Sequence, residues 1–600
     1  MQNLDISSGP LCCGSPNGTA CGNPAPLSCK DCLMVTYCSK RCQSSHWPTH
    51  RHDCRSPFMK GTWQPSCVAE NKMPTCICDY CARNLETPSR LWGRVPAVDV
   101  VRLEKNEGLG FQRPIRVLFP TSGDLRDTIF SITSLPPSYK GPFIAVLNDA
   151  DKSVVARNLI FLLMMFVEEN PAVAAENVLH LWYSALITES CYDMLRSKLK
   201  PLVEEVCDKI ARKPGYTKLR KAWKFGESSV QVVLTRNDWF SLLSYFDVPP
   251  GLTKDVAQQA RQIVMSAPER IGYVDSVMCT KSPAGKLAMR KFRDNGLLLP
   301  FGQLGEEFTI PNPTLFDSRH GWPLHDTADP ADGWPTKSFL EFPTGPAKND
   351  VYGKLHYYLK HLFKKFHERI RSLPIELTLS CFDLEYLPLC LTEKYFDRIQ
   401  VSDVCDQGQD GVDLTLRTFG PLLQPVSVNP HATLITLFQD AIALMTISLG
   451  VGPHFAEDPF TAFPREITRL IMMQMPEIKR ELESVDHWRT GIIKIIHGQR
   501  LMYEVEGIFK SHMLWCRFEH LAANARLEMK TTNTIISPWP MRFGIQEHGS
   551  RDFALLFSSN HTGQERYVEW KVATDKDAKD VDERMKSAGI STEPKPSSFL

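Results

Sequence analysis

Twelve of the 19 cysteines lie between Cys12 and Cys81, at gaps that suit metal ligation. Within that stretch stand Cys29-x2-Cys32, Cys38-x3-Cys42 and His50-x3-Cys54, with Cys13 and Cys21 upstream. Zinc takes four soft ligands in a tetrahedron, and a C-x2-C knuckle offers two of them from one tight turn. The other two pairs have i, i+4 spacing, which sets both ligands on one face of a helical turn. Eight ligands make two sites and imply two Zn2+ ions. Pairing them alternately, first with third and second with fourth, ties the segment to itself without a hydrophobic core. A piece this small needs such staples to fold.

The run Val35-Thr36-Tyr37-Cys38-Ser39-Lys40-Arg41-Cys42-Gln43, followed by His46-Trp47 and His50-x3-Cys54, closely resembles the MYND-type zinc finger. The resemblance implies that Cys13, Cys21, Cys38 and Cys42 hold the first zinc. It implies that Cys29, Cys32, His50 and Cys54 hold the second. Cys12 and Cys13 are adjacent where the family usually opens with C-x2-C, so either offers the first ligand, and Cys13 is preferred. His46 and His52 match no ligand position and are expected to face solvent. The resemblance also implies a use, the binding of short proline-containing peptides of partner proteins, with Gln43 and Trp47 lining the groove. Direct nucleic-acid binding is not expected, because the finger carries only Lys30, Lys40, Arg41 and Arg51 as basic side chains and no recognition-helix pattern. Farther on, Cys67, Cys76, Cys78 and Cys81 leave a third zinc site open.

The rest of the 600-residue chain must fold around these ligands or beside them. Lys+Arg number 69 against 68 Asp+Glu, so no overall field favours nucleic acid or an anionic membrane. The amino terminus lacks a basic and apolar leader pattern. The longest apolar run, Leu159 to Val167, falls well short of the ~20 residues that span a bilayer. A soluble protein of the cytoplasm or nucleus is expected, with no membrane partner.

From Leu91 the texture becomes that of an α/β body. Pro114–Pro120 and Phe143–Leu147 are apolar runs that end at polar turns and precede helical stretches, the second from Val154 to Glu168. His180–Tyr183 is expected to open a long helix reaching about Arg212. Ile375–Leu379 and Phe396–Val401 read as later strands, Asn429–Leu434 as the entry to an apolar helix, and the basic stretch Lys218–Lys224 as a solvated helix face. The expected layout is a finger over 1–58, a cysteine-containing linker over 59–90 and a first α/β half over 91–215. An insertion over 216–345, a second α/β and helical half over 346–570 and a disordered tail over 571–600 complete it.

The phrases LWGRVPAVD, SGDLRDTI, VLNDADKSVVARN and HLWYS resemble an uncharacterised domain found beside MYND fingers in many fungal proteins, similar also to part of a dynein axonemal assembly factor. FDRIQVSD and FGPLL-x5-NPHATLITLF resemble the second half of the fungal versions. The layout suggests a small cross-braced zinc finger followed by a Rossmann-like body, of a degenerate methyltransferase-like kind, with helical insertions. Asp149, after the second strand, stands where such enzymes grip the ribose of S-adenosylmethionine. The first turn, Thr121-Ser122-Gly123-Asp124, has a single glycine instead of the glycine-rich approach that a cofactor needs. No catalytic residue is nominated: there is no nucleophile elbow, and Asn429-Pro430-His431 is not the turn of a SET-type lysine methyltransferase. The leading reading is a zinc-binding interaction adaptor or regulator, transcriptional or developmental. A methyltransferase-like enzyme is the alternative.

Overall fold

The short apolar runs bounded by turns become strands of one large sheet. The computed structural model describes residues 13–14, 21, 23–70, 91–402, 404–448, 465–502, 505–543 and 550–573. In the finger, β1 (Leu27–Ser28) and β2 (Thr36–Tyr37) pair antiparallel ahead of α1 (Lys40–Cys54). The body begins with β3 (Ile115–Phe119), α2 (Arg126–Ser134), β4 (Phe143–Asn148), α3 (Lys152–Val167) and α4 (Pro171–Tyr183). Next come β5 (Leu186–Thr188), β6 (Lys218–Phe225), β7 (Ser228–Thr235) and β8 (Phe308–Pro311). Helix α5 (Val351–Ser372), β9 (Ile375–Ser380), β10 (Arg398–Ser402) and α6 (Gly408–Phe419) lead to β11 (Thr433–Phe438), β12 (Leu527–Met529) and β13 (Arg566–Val572).

Nine strands hydrogen-bond in the order β12-β13-β11-β10-β3-β4-β9-β7-β6. The six from β11 to β7 are parallel, whereas β13 and β6 run antiparallel to their inner neighbours and β12 antiparallel to β13. The chain reverses its direction of travel across the sheet at β3, which lies between β4 and β10. Helix α3 is buried from Val154 to Phe166, apolar on nearly every side, and its first turn is capped by the Asp151 carboxylate.

Three expectations are corrected. His180–Tyr183 closes a helix, since α4 ends at Tyr183 with Ser184 at its cap. Thr433–Phe438 is a strand with all six residues buried, and such a parallel core strand carries the same short apolar signature as a buried helix. Lys218–Lys224 lies in β6 at the sheet edge, where lysine and arginine discourage pairing with a second chain. Within the 216–345 segment, β6 and β7 extend the main sheet at its edge. Strand β13 runs through Val572, and the expected tail beyond 573 lies outside the described residues.

The amino-terminal ends of the central strands are held by a buried charge network. Arg398, fully buried at the start of β10, donates from Nη2 to Glu107 (2.8 Å) and to the Val101 carbonyl (2.9 Å). Its Nη1 donates to the His431 carbonyl at 3.0 Å. Asn429 donates to Glu107 and to Asp397, and Asp397 accepts the Arg116 amide at 2.8 Å. Arg398→Met would strand Glu107 as an unpaired buried carboxylate. A loss of about 3–5 kcal/mol is expected, to be measured by urea unfolding; a loss under about 1 kcal/mol would show that the network contributes little.

Candidate metal centre

The second ligand pair sits on a tight knuckle. The Cys29 amide donates to the Val35 carbonyl and the Leu33 amide to the Cys29 carbonyl, each at 3.0 Å. Closing so short a loop puts Leu33 in the left-handed region, with φ 53°. A non-glycine residue there costs about 1–2 kcal/mol, which metal ligation by both flanking cysteines can offset. Ser39 caps α1 by accepting the Cys42 amide at 3.2 Å. The cap sets the helical phase, so Cys42, His46, His50 and Cys54 recur every four residues along the inner side.

The eight expected ligands form two groups: Cys13, Cys21, Cys38 and Cys42, then Cys29, Cys32, His50 and Cys54. In the first, Cys38 Sγ lies 3.5 Å from Cys21 Sγ and 3.4 Å from Cys42 Sγ. In the second, Cys29 and Cys54 are 3.5 Å apart, and His50 Nε2 lies 3.4 Å from Cys32 and 3.1 Å from Cys54. A zinc–sulfur bond of about 2.3 Å gives a tetrahedron with edges of about 3.7 Å, close to these separations. A disulfide needs about 2.05 Å, and none of these cysteines is bonded to another. The two groups fit two zinc ions.

Electrostatics point the same way. Burial pushes the Cys13 thiol up to about 12, and the neighbouring Cys38 and Cys42 thiols add to it. Burial and the charge of Cys32 and Cys29 push Cys54 up as well. Burial opposes ionisation of Cys29 too, but the Cys32 and Asp31 amides and His50 more than offset it. Four thiolates cannot share so small a volume without a cation, and a divalent ion supplies it. Behind His50, the Asp53 carboxylate lies 3.9 Å from Nδ1, on the side where a supporting acceptor orients a ligating imidazole.

His46 is not solvent-facing. It is buried, stacked 5.5 Å from the His50 ring, with Nδ1 3.0 Å from the Tyr37 hydroxyl. It fills the space between the ligand pairs as a packing residue, while His52 is exposed as expected. Gln43 and Trp47 are half-buried on α1, and the Trp47 ring meets His50 edge-on at 6.1 Å. Cys12, Cys76, Cys78 and Cys81 lie outside the described residues, as does the side chain of Cys67, so the third-zinc expectation falls there.

The finger does have an apolar core, and it is shared with the body. Met34, Val35 and Tyr37 belong to one buried cluster with residues of the large sheet and its helices. Val35 lies so close to Gly14 and Gly302 that a Cβ at either would approach it within 3 Å. Asn349, just before α5, donates from its backbone to the Leu33 carbonyl and from its side chain to the Cys32 carbonyl, each at 3.0 Å. The body thus grips the knuckle of the second tetrad. Asn349 carries no local sequence signal, so this contact was not legible in advance.

The other nominated region, at the carboxyl ends of β3 and β4, is occupied by the chain's own groups. Asp149 accepts the Gly123 amide at 2.9 Å and the Asp151 amide at 2.9 Å. Asp124 turns away to the Gly93 amide and the Arg126 guanidinium. The sequence also gave no notice of a body cluster, Glu176 and His180 on α4 with His356 on α5, whose only local trace is an E-x3-H spacing.

The family model of the MYND finger matches residues 13–54, and that of a domain of unknown function, DUF4470, matches residues 91–187. No curated protein and no solved structure matches the chain. Elemental analysis of protein never exposed to chelator should find at least two zinc per chain, and fewer would contradict the paired tetrads. Cys38→Ser should open the finger to limited proteolysis. The body should keep a cooperative thermal transition at a lower midpoint, since it loses the two Asn349 bonds and the packing of Met34, Val35 and Tyr37. Joint collapse would show that the shared core cannot stand without the finger.

Proposed function

We propose that this chain recruits a protein partner through its finger and uses the body as the rigid base that presents it. The observation that carries the reading is the way the finger is mounted. Its knuckle carbonyls are bound by Asn349, while Arg41, Ser44, Ser45, Pro48 and Thr49 leave the outer side of α1 exposed, with Gln43 and Trp47 along its rim. A half-buried tryptophan held by a zinc-ligand ring loses little entropy on binding, which suits an anchor for an extended proline-containing segment. Among the described residues no helix is long and apolar enough to cross a membrane. A regulatory role, transcriptional or developmental, in the cytoplasm or nucleus of a fungus is the setting that the resemblance favours.

A second reading has one observation in its favour. The parallel strands β11-β10-β3-β4-β9 reverse their order at β3, and a doubly wound sheet offers a nucleotide cofactor its crevice at such a reversal. We read it as a sheet that no longer takes the cofactor, since Asp149 is committed to backbone amides of the turn that would have to open.

Two measurements separate these readings. In fluorescence titrations with a panel of proline-containing peptides, Trp47→Ala should weaken binding about tenfold or more, with both zinc ions retained. No peptide bound, or equal binding by the variant, would defeat the recruitment reading. Isothermal titration with S-adenosylmethionine should give no saturable heat. Tight binding abolished by Asp149→Ala would make the enzymatic reading the correct one.

A further inference from the structure

Helix α4 carries Glu176 and His180 one turn apart, and α5, packed along it, carries His356 and Lys360 at the same spacing. Such spacing presents each pair on a single helical face, here the faces that meet. Glu176 Oε1 lies 3.1 Å from His180 Nε2 and 3.8 Å from His356 Nε2. All three candidate ligand atoms fall within 4.8 Å of one another. The two imidazoles are almost wholly buried, whereas the Glu176 side chain is 33% exposed and opens the cluster on one side.

The outer nitrogens decide what the inner ones can do. His356 Nδ1 lies 3.1 Å from the Leu298 carbonyl, which can only accept, so Nδ1 carries the hydrogen. The Nε2 of the neutral ring then aims a lone pair at a carboxylate oxygen, and two acceptors that face each other call for a cation between them. His180 Nδ1 lies 2.9 Å from the Ser184 hydroxyl, which also accepts the Leu298 amide at 3.2 Å. Both rings are therefore anchored from behind on the same backbone segment, the arrangement that fixes ligating imidazoles on their metal.

We propose that Glu176, His180 and His356 form a metal site in the body, independent of the finger, that takes a divalent first-row ion through two imidazole nitrogens and one carboxylate. Two nitrogens and one oxygen suit zinc, cobalt or iron(II), with further positions left for water on the Glu176 side. The Lys360 ammonium rests on the other oxygen of Glu176 and supplies the positive charge when no metal is bound. Metal and ammonium compete for one carboxylate. That competition separates a metal site from a merely structural ion-pair network.

The test uses the full chain with its finger zinc in place, titrated with Co2+. One added equivalent is expected, giving d–d absorption with no thiolate-to-cobalt charge-transfer band, because this site has no sulfur. His356→Gln and Glu176→Gln should each weaken it about tenfold or more, without changing zinc content. Lys360→Met should tighten it. Circular dichroism checks that each variant folds, and the half-exposed Glu176→Gln serves if the buried histidine variant does not. Failure of both wild type and Lys360→Met to take the added ion would overturn the proposal. So would an added equivalent that shows thiolate bands, which place the cobalt on cysteine, or one that survives Glu176→Gln.

Discussion

The body depends on a single buried helix end. Helix α4 stops in the core at Tyr183, and its last carbonyls have no partners within the helix. Water cannot reach them, so side chains from three distant segments must. The Trp182 carbonyl accepts the Trp92 indole at 2.6 Å and Arg157 Nη2 at 2.9 Å. Asn312 reaches the Leu181 and Ser184 carbonyls at 3.0 and 2.9 Å, and Thr314 adds a bond to Leu181. Arg157, itself buried, is satisfied on its other nitrogen by Thr314. The segment before the sheet, the central helix α3 and the loop after β8 thus converge on one turn. Losing Asn312 takes from the Ser184 carbonyl the side-chain donor that reaches it in the core, at about 1–3 kcal/mol.

The same helix pair links this node to the finger. Helix α5 packs along α4, and its amino terminus is set by Asp350, which accepts the Gly353 and Phe301 amides. Asn349, one residue earlier, holds the zinc knuckle. Zinc fixes the knuckle, the knuckle fixes Asn349, and Asn349 directly precedes Asp350, the cap of α5. The finger is therefore anchored on the body by its own knuckle.

The sequence phrases that carried the family resemblance can now be read as packing instructions. Gly93 of LWGR leaves room for the Arg126 guanidinium of SGDLRD, which also reaches the Val95 carbonyl. Asn148 ties the ends of β3, β4 and β9 through the Pro120 and Phe382 carbonyls, the Phe382 amide and Ser380. Arg157, Arg398 and Asn429 clamp buried backbone or carboxylates. Local spacing made the zinc ligands legible, since six of the eight stand in pairs separated by a single turn. Strands β3, β4, β9 and β10 were legible from apolar runs bounded by turns. Strand β11 was not, because a fully buried strand has no alternation, and β6 was not, because edge-strand lysines mimic a solvated helix. The meeting of Glu176 with His356, and of Leu33 with Asn349, depends on how distant helices pack, which no local window records.

In an open parallel sheet the natural place for a ligand is the crevice past the carboxyl ends of the strands where the order reverses, here between β3 and β10. In this chain hydrogen bonds tie the strand ends together there. Thr121 donates to the Ser402 carbonyl and accepts the Ser402 amide, joining the two strand ends directly. The Ser122 amide donates to the Asn148 carbonyl, and Asn158 donates to the Gly123 carbonyl from below. Asp149 closes the last gap with two charge-assisted bonds to amides, each worth about 1.5–3 kcal/mol. A ribose that sought Asp149 would have to replace both bonds and find new donors for the carboxylate. The partner of this acid is the turn itself. The polar groups at these strand ends are spent on holding the sheet together.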